Sequence, residues 1–302
     1  MKKSFVLLAL MFFGVFTAFS QTTEAEESVK KIKSDIPDGW GKGGLFSVSF
    51  TQVSLTNWAA GGQNSLSGAG MISLYSDYKK KTFIWNNSLD LGYGLMKQGE
   101  DNVFKTDDKL DFVSKAGRQA SKNWFYTGLL SLKTQMTDGY NYPNDSVAIS
   151  KFMAPGYILG ALGMDYKPGE KLSVFIAPVT GKITVVNDDR LSALGAYGVK
   201  EGKKTLSEFG GYIRAAYKTD ITNSIAFQTK ADFFSNYLNK PQNIDVSWET
   251  LLLMKLGKLI TVSFSTHLIN DADIITMFKD DGEGVSKVQF KQILGVGLSY
   301  KI

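Results

Sequence analysis

From Gly44 to the carboxyl end, apolar and polar residues alternate in about a dozen stretches. In the last of these, Val288, Phe290, Leu294, Val296, Leu298, Tyr300 and Ile302 fall on one parity. Lys287, Gln289, Lys291, Gly295, Gly297, Ser299 and Lys301 fall on the other. Successive strand residues face opposite sides of a sheet, so each stretch has one oily wall and one wet wall. Few folds place an oily wall on every strand. With no cysteine to staple a small domain, the pattern points to an all-β fold, an antiparallel up-and-down barrel whose outside faces lipid.

The period and its interruptions predict strands over 44–56, 66–79, 82–97, 104–119, 123–136, 156–167, 171–186, 206–218, 221–237, 243–256, 259–269 and 286–302. Each exceeds the roughly nine to eleven residues that a tilted membrane strand needs. In the third, Phe83, Trp85, Leu89, Leu91, Tyr93 and Leu95 oppose Asn86, Ser88, Asp90, Gly92 and Gly94. In the ninth, Ile221, Ile225, Phe227, Ala231 and Phe233 oppose Ser224, Gln228, Lys230 and Asp232. The alternation slips near Thr51 and again around Pro178, where a bulge would restore the facing. In the fourth strand Ser114 sits on the oily parity between Phe112 and Ala116.

The connections alternate long and short. Loops near 57–65, 98–103, 137–155, 187–205, 238–242 and 270–285 form the long set, and tight turns such as Lys79 to Lys81, Ala120 to Lys122 and Lys218 to Asp220 form the short one. Membrane barrels have short periplasmic turns and longer external loops. Tyr78, Trp124, Tyr166, Tyr217 and Tyr300 all fall near the short-turn end, as side chains with one apolar and one polar end do at a headgroup layer.

The amino terminus reads as a cleavable secretory signal over 1–20. Lys2 and Lys3 open it, an apolar run from Phe5 to Phe16 follows, and Ala18 to Ser20 supplies the small residues before the cut. Residues 21–43 read as a periplasmic leader, with Val29, Ile32 and Ile36 at helical spacing before Pro37. Residues 44–302 read as the barrel. Removing Lys2 and Lys3 leaves 32 basic against 29 acidic side chains, a balance too even to indicate nucleic acid. The mean hydropathy of −0.09 fits a barrel, where lipid-facing and lumen-facing residues cancel.

Certain stretches resemble a family of Gram-negative outer-membrane barrels that carries only a domain-of-unknown-function label. They are Trp58 to Ser65 (WAAGGQNS), Lys105 to Leu110 (KTDDKL), Thr134-Gln135 with Gly139-Tyr140, and Phe152 to Pro155 (FMAP) running into Gly163 to Tyr166 (GMDY). The resemblance implies a barrel in the outer membrane and no activity. Gly297, Tyr300 and Ile302 are also spaced like the carboxyl-terminal signal read by barrel-insertion machinery, although that signal usually ends in an aromatic residue.

Charges on the wet parity form the main candidate set: Asp90, Lys109, Asp111, Lys115, Lys230, Asp232, Asp245, Glu249, Lys287 and Lys291. In a barrel of about twelve strands they either pair across the lumen or line a narrow water path. His267, the single histidine, shares a strand face with Ser265. Residues two apart on a strand sit roughly 7 Å apart at about 3.3 Å per residue, too far for a nucleophile and its base. A wet lumen-rim histidine is therefore the expectation. Asp271, Asp273, Asp280, Asp281 and Glu283 crowd the last long loop without the spacing of a calcium loop, and no cofactor or metal motif stands out. The expected role is a narrow passive pore for small solutes or an envelope scaffold. The expected partners are outer-membrane lipids and the insertion machinery. A barrel hydrolase using His267 and a soluble secreted β-protein that binds a ligand are the alternatives.

Overall fold

The computed structural model describes residues 38–55, 63–100, 102–142, 144–169, 171–256, 260–274, 277–278 and 284–301. The signal sequence, most of the leader, Trp58, Asp280, Asp281, Glu283 and Ile302 lie outside the described residues. Its strands are β1 (Gly39–Val53), β2 (Ser65–Lys80), β3 (Phe83–Gln98), β4 (Phe104–Gln119), β5 (Trp124–Thr134), β6 (Gly139–Asn141), β7 (Asn144–Ser150), β8 (Gly156–Tyr166), β9 (Leu172–Val185), β10 (Thr205–Thr222), β11 (Ile225–Asn236), β12 (Ile244–Leu256), β13 (Ile260–Asn270), β14 (Met277–Phe278), β15 (Gly284–Val285) and β16 (Gln289–Lys301). One short helix, α1 (Asp189–Ala193), lies between β9 and β10.

Twelve of these strands close into an antiparallel barrel in the order β1-β16-β13-β12-β11-β10-β9-β8-β5-β4-β3-β2. They correspond one for one to the twelve expected from the alternation. Pairs β6–β7 and β14–β15 are small hairpins within long loops. Among the described residues the closing pair is short: β1 meets β16 from Leu45–Lys301 to Val48–Leu298, whereas β1 and β2 pair from Gly39–Lys79 to Val53–Ser65.

Outward positions carry large apolar side chains all round the ring, among them Phe46, Leu66, Leu74, Tyr126, Leu162, Ile213, Trp248 and Leu298, every one exposed. A continuous apolar band of this kind is not left against water, and the fold is a transmembrane β-barrel. At the short-turn end Trp40 packs on Tyr78 (5.0 Å between ring centroids) and Trp85 (5.8 Å), and Trp124 packs on Tyr166 (4.9 Å). Trp40 and Trp85 thus join three of the aromatics expected there: Tyr78, Trp124 and Tyr166.

The slip at Pro178 is a bulge. Between Ala177 and Thr180 β9 spends one residue more than β10, and the same excess appears against β8. Proline lacks the N–H that a ladder needs, and the extra residue returns Thr180, Lys182 and Thr184 to the inner face that Phe175 and Ala177 occupy below. Gly163 lies opposite, where an added Cβ would fall 2.0 Å from the Ile176 carbonyl oxygen.

Some expectations are corrected. No bulge occurs at Thr51, because β1 and β2 stay in register to Val53. The parity change there marks the end of the strand, where the wall meets the long-loop mouth. The turn read at Lys218 to Asp220 lies instead at Asn223-Ser224, where the Ser224 N–H donates to Thr222 Oγ1 (3.2 Å). Strand β1 starts at Gly39, five residues before the expected boundary at 44. Lys287 precedes β16 and is exposed above the wall, so it leaves the lumen set. Ser114 does face outward, and it is satisfied there. It accepts from the Trp85 indole (2.9 Å) and donates to Asn87 Oδ1 (2.8 Å).

Candidate functional site

The inner wall is not uniformly wet. On the β5–β8–β9–β10–β11 side, Leu129, Ala161, Phe175, Ala177, Tyr212 and Phe234 pack into an apolar cluster inside the barrel, with Phe175 edge-on to Tyr212 (6.2 Å). Across the barrel, β1, β2 and β13 present mainly small buried side chains, Ser47, Ser49, Ala69, Ser73, Ser263 and Ser265, with Met71 the larger one among them on β2.

Charges are held around this cluster. Asp232 receives both Arg214 Nε (2.5 Å) and an Arg214 terminal nitrogen (2.8 Å), and the Tyr212 hydroxyl donates to the same carboxylate (2.7 Å). Lys230 pairs with Glu249 (3.0 Å). Lys115 and Lys167 both reach Asp165, the latter at 3.1 Å. Asp111 lies between Lys109 (4.0 Å) and Lys133 (3.9 Å), Asp90 accepts from Ser73, and Lys291 stands 3.9 Å from Asp107. Toward the long-loop mouth, Lys182 draws three carboxylates together: Asp245 (2.8 Å), Glu208 (3.2 Å) and Asp271 (3.8 Å). Buried ions are retained when they are paired and hydrogen-bonded in this way.

The sequence candidates other than Lys287 therefore lie on the inner wall, but they form several pairs and no single constellation. Lys133, Asp165, Lys167, Lys182, Glu208 and Arg214 were missed. Lys182 sits beyond the Pro178 bulge, where a simple parity count assigns the wrong face. Asp165 was legible, since it stands on the inner parity of the Gly163 to Tyr166 stretch. Asp271, one of the acids crowding the last long loop, turns toward Lys182.

His267 faces the lumen beneath the long-loop mouth. Its Nε2 lies 2.9 Å from the Oγ of Ser247, across the strand pair, and Ser265 is not the partner. Parity within one strand found the face, but only the pairing of β12 with β13 brought this serine to the ring.

At the long-loop mouth three of the stretches that carried the family resemblance come together, Lys105 to Leu110, Thr134-Gln135 with Gly139-Tyr140, and Phe152 to Pro155, while Gly163 to Tyr166 lies at the short-turn end. A register shift between β3 and β4 turns Lys105 to the same side as Asp108, and the two pair at 2.7 Å. Asp108 also accepts from the N–H groups of Met136 (2.7 Å) and Thr137 (2.8 Å). Thr134 Oγ1 donates to the Pro155 carbonyl (2.9 Å), and Gln135 donates to the Lys151 carbonyl (2.8 Å). Asp188 caps α1 by accepting from the Leu191 N–H (2.9 Å) and pairs with Lys151 (2.9 Å). The Leu191 N–H, and then Lys151, hold the Asp188 carboxyl below its ordinary range. Ala154, Val186, Leu191 and Val199 form a small core beneath this collar.

Among the described residues two cavities enter the lumen. One of about 160 Å³ opens at the short-turn end and one of about 250 Å³ toward the long loops. Gln228 and Lys230 line both.

Fold and lumen together define a membrane barrel with a narrow, charge-lined interior. Residues 50–140 match the model of a family described as "Protein of unknown function (DUF3078)". No curated protein sequence matches the chain. Among solved structures, an outer membrane channel from Pseudomonas putida F1 is similar at 11% identity and a TM-score of 0.42, covering 88% of this chain and 97% of that one. The NanC porin is similar at 8% identity and a TM-score of 0.39, covering 84% and 98%. The translocator domain of the autotransporter NalP from Neisseria meningitidis is similar at 9% identity and 0.33, covering 89% and 90%. The functional reading rests on this barrel's own geometry.

Proposed function

We propose that the protein sits in the outer membrane of a Gram-negative bacterium, short turns toward the periplasm and long loops outside, and passes small solutes through a narrow lumen. One observation carries the reading: cavities from the two ends both reach Gln228 and Lys230. Lys230, held by Glu249, stands at the septum between them. A path bounded by charged side chains selects small polar solutes by width and field. Planar-bilayer recording tests this. Wild-type protein gives small, steady conductance steps, and Lys230→Ser enlarges them. No steps above the bare bilayer from heat-modifiable, folded protein would overturn the channel.

The Ser247–His267 hydrogen bond supports a second reading, hydrolysis of an ester that enters the external mouth. A serine activated by an adjacent base is the minimal nucleophile for acyl transfer. Nitrophenyl-ester turnover that vanishes in both Ser247→Ala and His267→Ala would establish it. Turnover no faster than in those variants would remove it.

A further inference from the structure

The lipid-facing wall is not an even band. Over β4, β5, β8 and β9 it holds two open cavities, of about 480 and 710 Å³, which share Gly128 and Leu162 and so form one groove. Gly128, Gly160 and Gly181 lie in its floor, and exposed Tyr126, Leu130, Leu162 and Val179 rise beside them. Apart from its aromatic residues, the lining has two polar side chains, and both are engaged. Ser114 bonds to Trp85 and Asn87, and the buried Thr127 hydroxyl donates to the Phe125 carbonyl (3.4 Å). Among the described residues no charged side chain lines the groove.

The strands do not require these glycines. None of the three has a left-handed φ. β5 and β8 keep one register from Trp124–Tyr166 to Lys133–Tyr157, so no bulge explains Gly128 or Gly160. A Cβ added at Gly160 or Gly181 meets no atom within 4 Å. Glycine inside a strand weakens it, and without a bulge or bend it marks a close approach by another group. The groove also has a fitting length. From Trp124 to Leu130 β5 climbs six residues, roughly 20 Å at about 3.3 Å each. At a strand tilt of about 45° that is roughly 14 Å of depth, near half of the roughly 30 Å hydrocarbon core. One acyl chain covers that distance. At the groove's aromatic end stand two cations. Arg118 lies opposite Tyr126 in the β4–β5 ladder, on the same outer face, and Lys122 lies in the turn between these strands; both are exposed. A guanidinium matches two phosphate oxygens at once. An apolar trough that ends at the headgroup level beside two cations complements an anionic amphiphile.

We propose that this groove is a binding site for one phospholipid of the leaflet on the short-turn side. An acyl chain lies over Gly128, Gly160 and Gly181, and the phosphate meets Arg118 and Lys122. The site uses the outer wall alone and is independent of conduction through the lumen.

Native mass spectrometry of the full-length mature barrel in nonionic detergent tests the site. The probe is palmitoyl-oleoyl phosphatidylglycerol, with dioleoylglycerol as the comparator that lacks a phosphate. One phosphatidylglycerol is expected to bind well ahead of any others. Its affinity is expected to fall at least tenfold in Gly160→Leu, which fills the floor, and in Arg118→Gln. Gly70→Leu on β2, another outward glycine with open space above it, is expected to leave it unchanged. Heat-modifiable gel migration first shows that each variant is a closed barrel, and the exposed Arg118→Gln keeps the test alive if Gly160→Leu fails to close. Equal binding of dioleoylglycerol, equal loss in Gly70→Leu, or many lipids of equal affinity in every folded variant would overturn the site. A lipid-free dimer that Gly160→Leu dissolves would give the groove to a second copy and overturn it too. A barrel that retains this one lipid and passes no current would lose the channel and keep the site.

Discussion

The wall built by β8 to β11 and the wall built by β1, β2, β13 and β16 obey the same outward rule and opposite inward ones. Outside, both offer lipid a band of Phe, Leu, Ile and Val. Inside, the first carries Phe175, Lys182, Tyr212, Arg214 and Phe234, and the second carries mainly small groups, Ser47, Ser49, Ser73, Ser263 and Gly295, with Met71 among them. Lipid accepts any apolar side chain, so the outer face constrains composition and not volume. The interior of a twelve-strand barrel must be filled or left as water, and bulk on one side requires smallness on the other. The crowded wall therefore holds the apolar cluster and the Arg214–Asp232 pair, while other ion pairs draw in β4, β5, β12 and β16.

Breaking the crowded wall gives the largest effect. Asp232→Ala leaves the Arg214 guanidinium without its bidentate partner, a loss of about 3–5 kcal/mol for a buried pair with one side removed. Urea unfolding in detergent, followed by tryptophan emission, is expected to show a large drop in midpoint. Phe175→Ala, at a site with no exposed surface, is expected to cost about 3–5 kcal/mol at the upper limit, less where water enters the gap. A drop as large from Ser49→Ala on the opposite wall would erase the distinction.

Filling the small wall acts on passage rather than stability. Ser263→Phe adds a ring to the inner face of β13, where Ser263 is fully buried, and single-channel conductance is expected to fall at least severalfold while the barrel still forms. An unchanged conductance would show that the passage does not run along β13.

The outer collar should respond to pH. The Asp188 carboxyl is held below its unfolded value by the Leu191 N–H and Lys151. Its contribution is therefore present above about pH 4, the ordinary aspartate range, and fades as pH falls through the depressed folded value. Hydrogen exchange of the α1 amides is expected to quicken below that range. Asp188→Ala is expected to give the fast rate at every pH, with about 1 kcal/mol of cap stability lost. The smallest effect belongs to the lipid face. Ser114→Ala removes the acceptor of the Trp85 indole and is expected to cost about 0.5–1.5 kcal/mol, with a shift in tryptophan emission.

Much of the architecture was legible in the chain. The two-residue period placed all twelve barrel strands to within a few residues, except that β1 begins five residues early, β10 runs four residues further and β11 starts four residues later. Loop lengths and the end-clustered aromatics distinguished the two ends of the barrel. Pro178 announced its own bulge because a residue without an N–H leaves a gap in any ladder. The lumen was legible only as a face. Asp90, Asp111, Lys115, Lys230, Asp232, Asp245 and Glu249 could be assigned inward, but parity names no partner. Asp232 meets Arg214 eighteen residues away because β10 and β11 pair in one register. His267 meets Ser247 and not Ser265 for the same kind of reason.

The sequence by itself determined that the chain forms a twelve-strand barrel with an oily outside, because the medium on each side of a strand acts on every second residue and leaves a local, countable trace. Only the tertiary structure decided which charges pair, which wall is thick and where the two cavities meet. Those depend on register and closure between strands far apart in the chain, and no local periodicity encodes them.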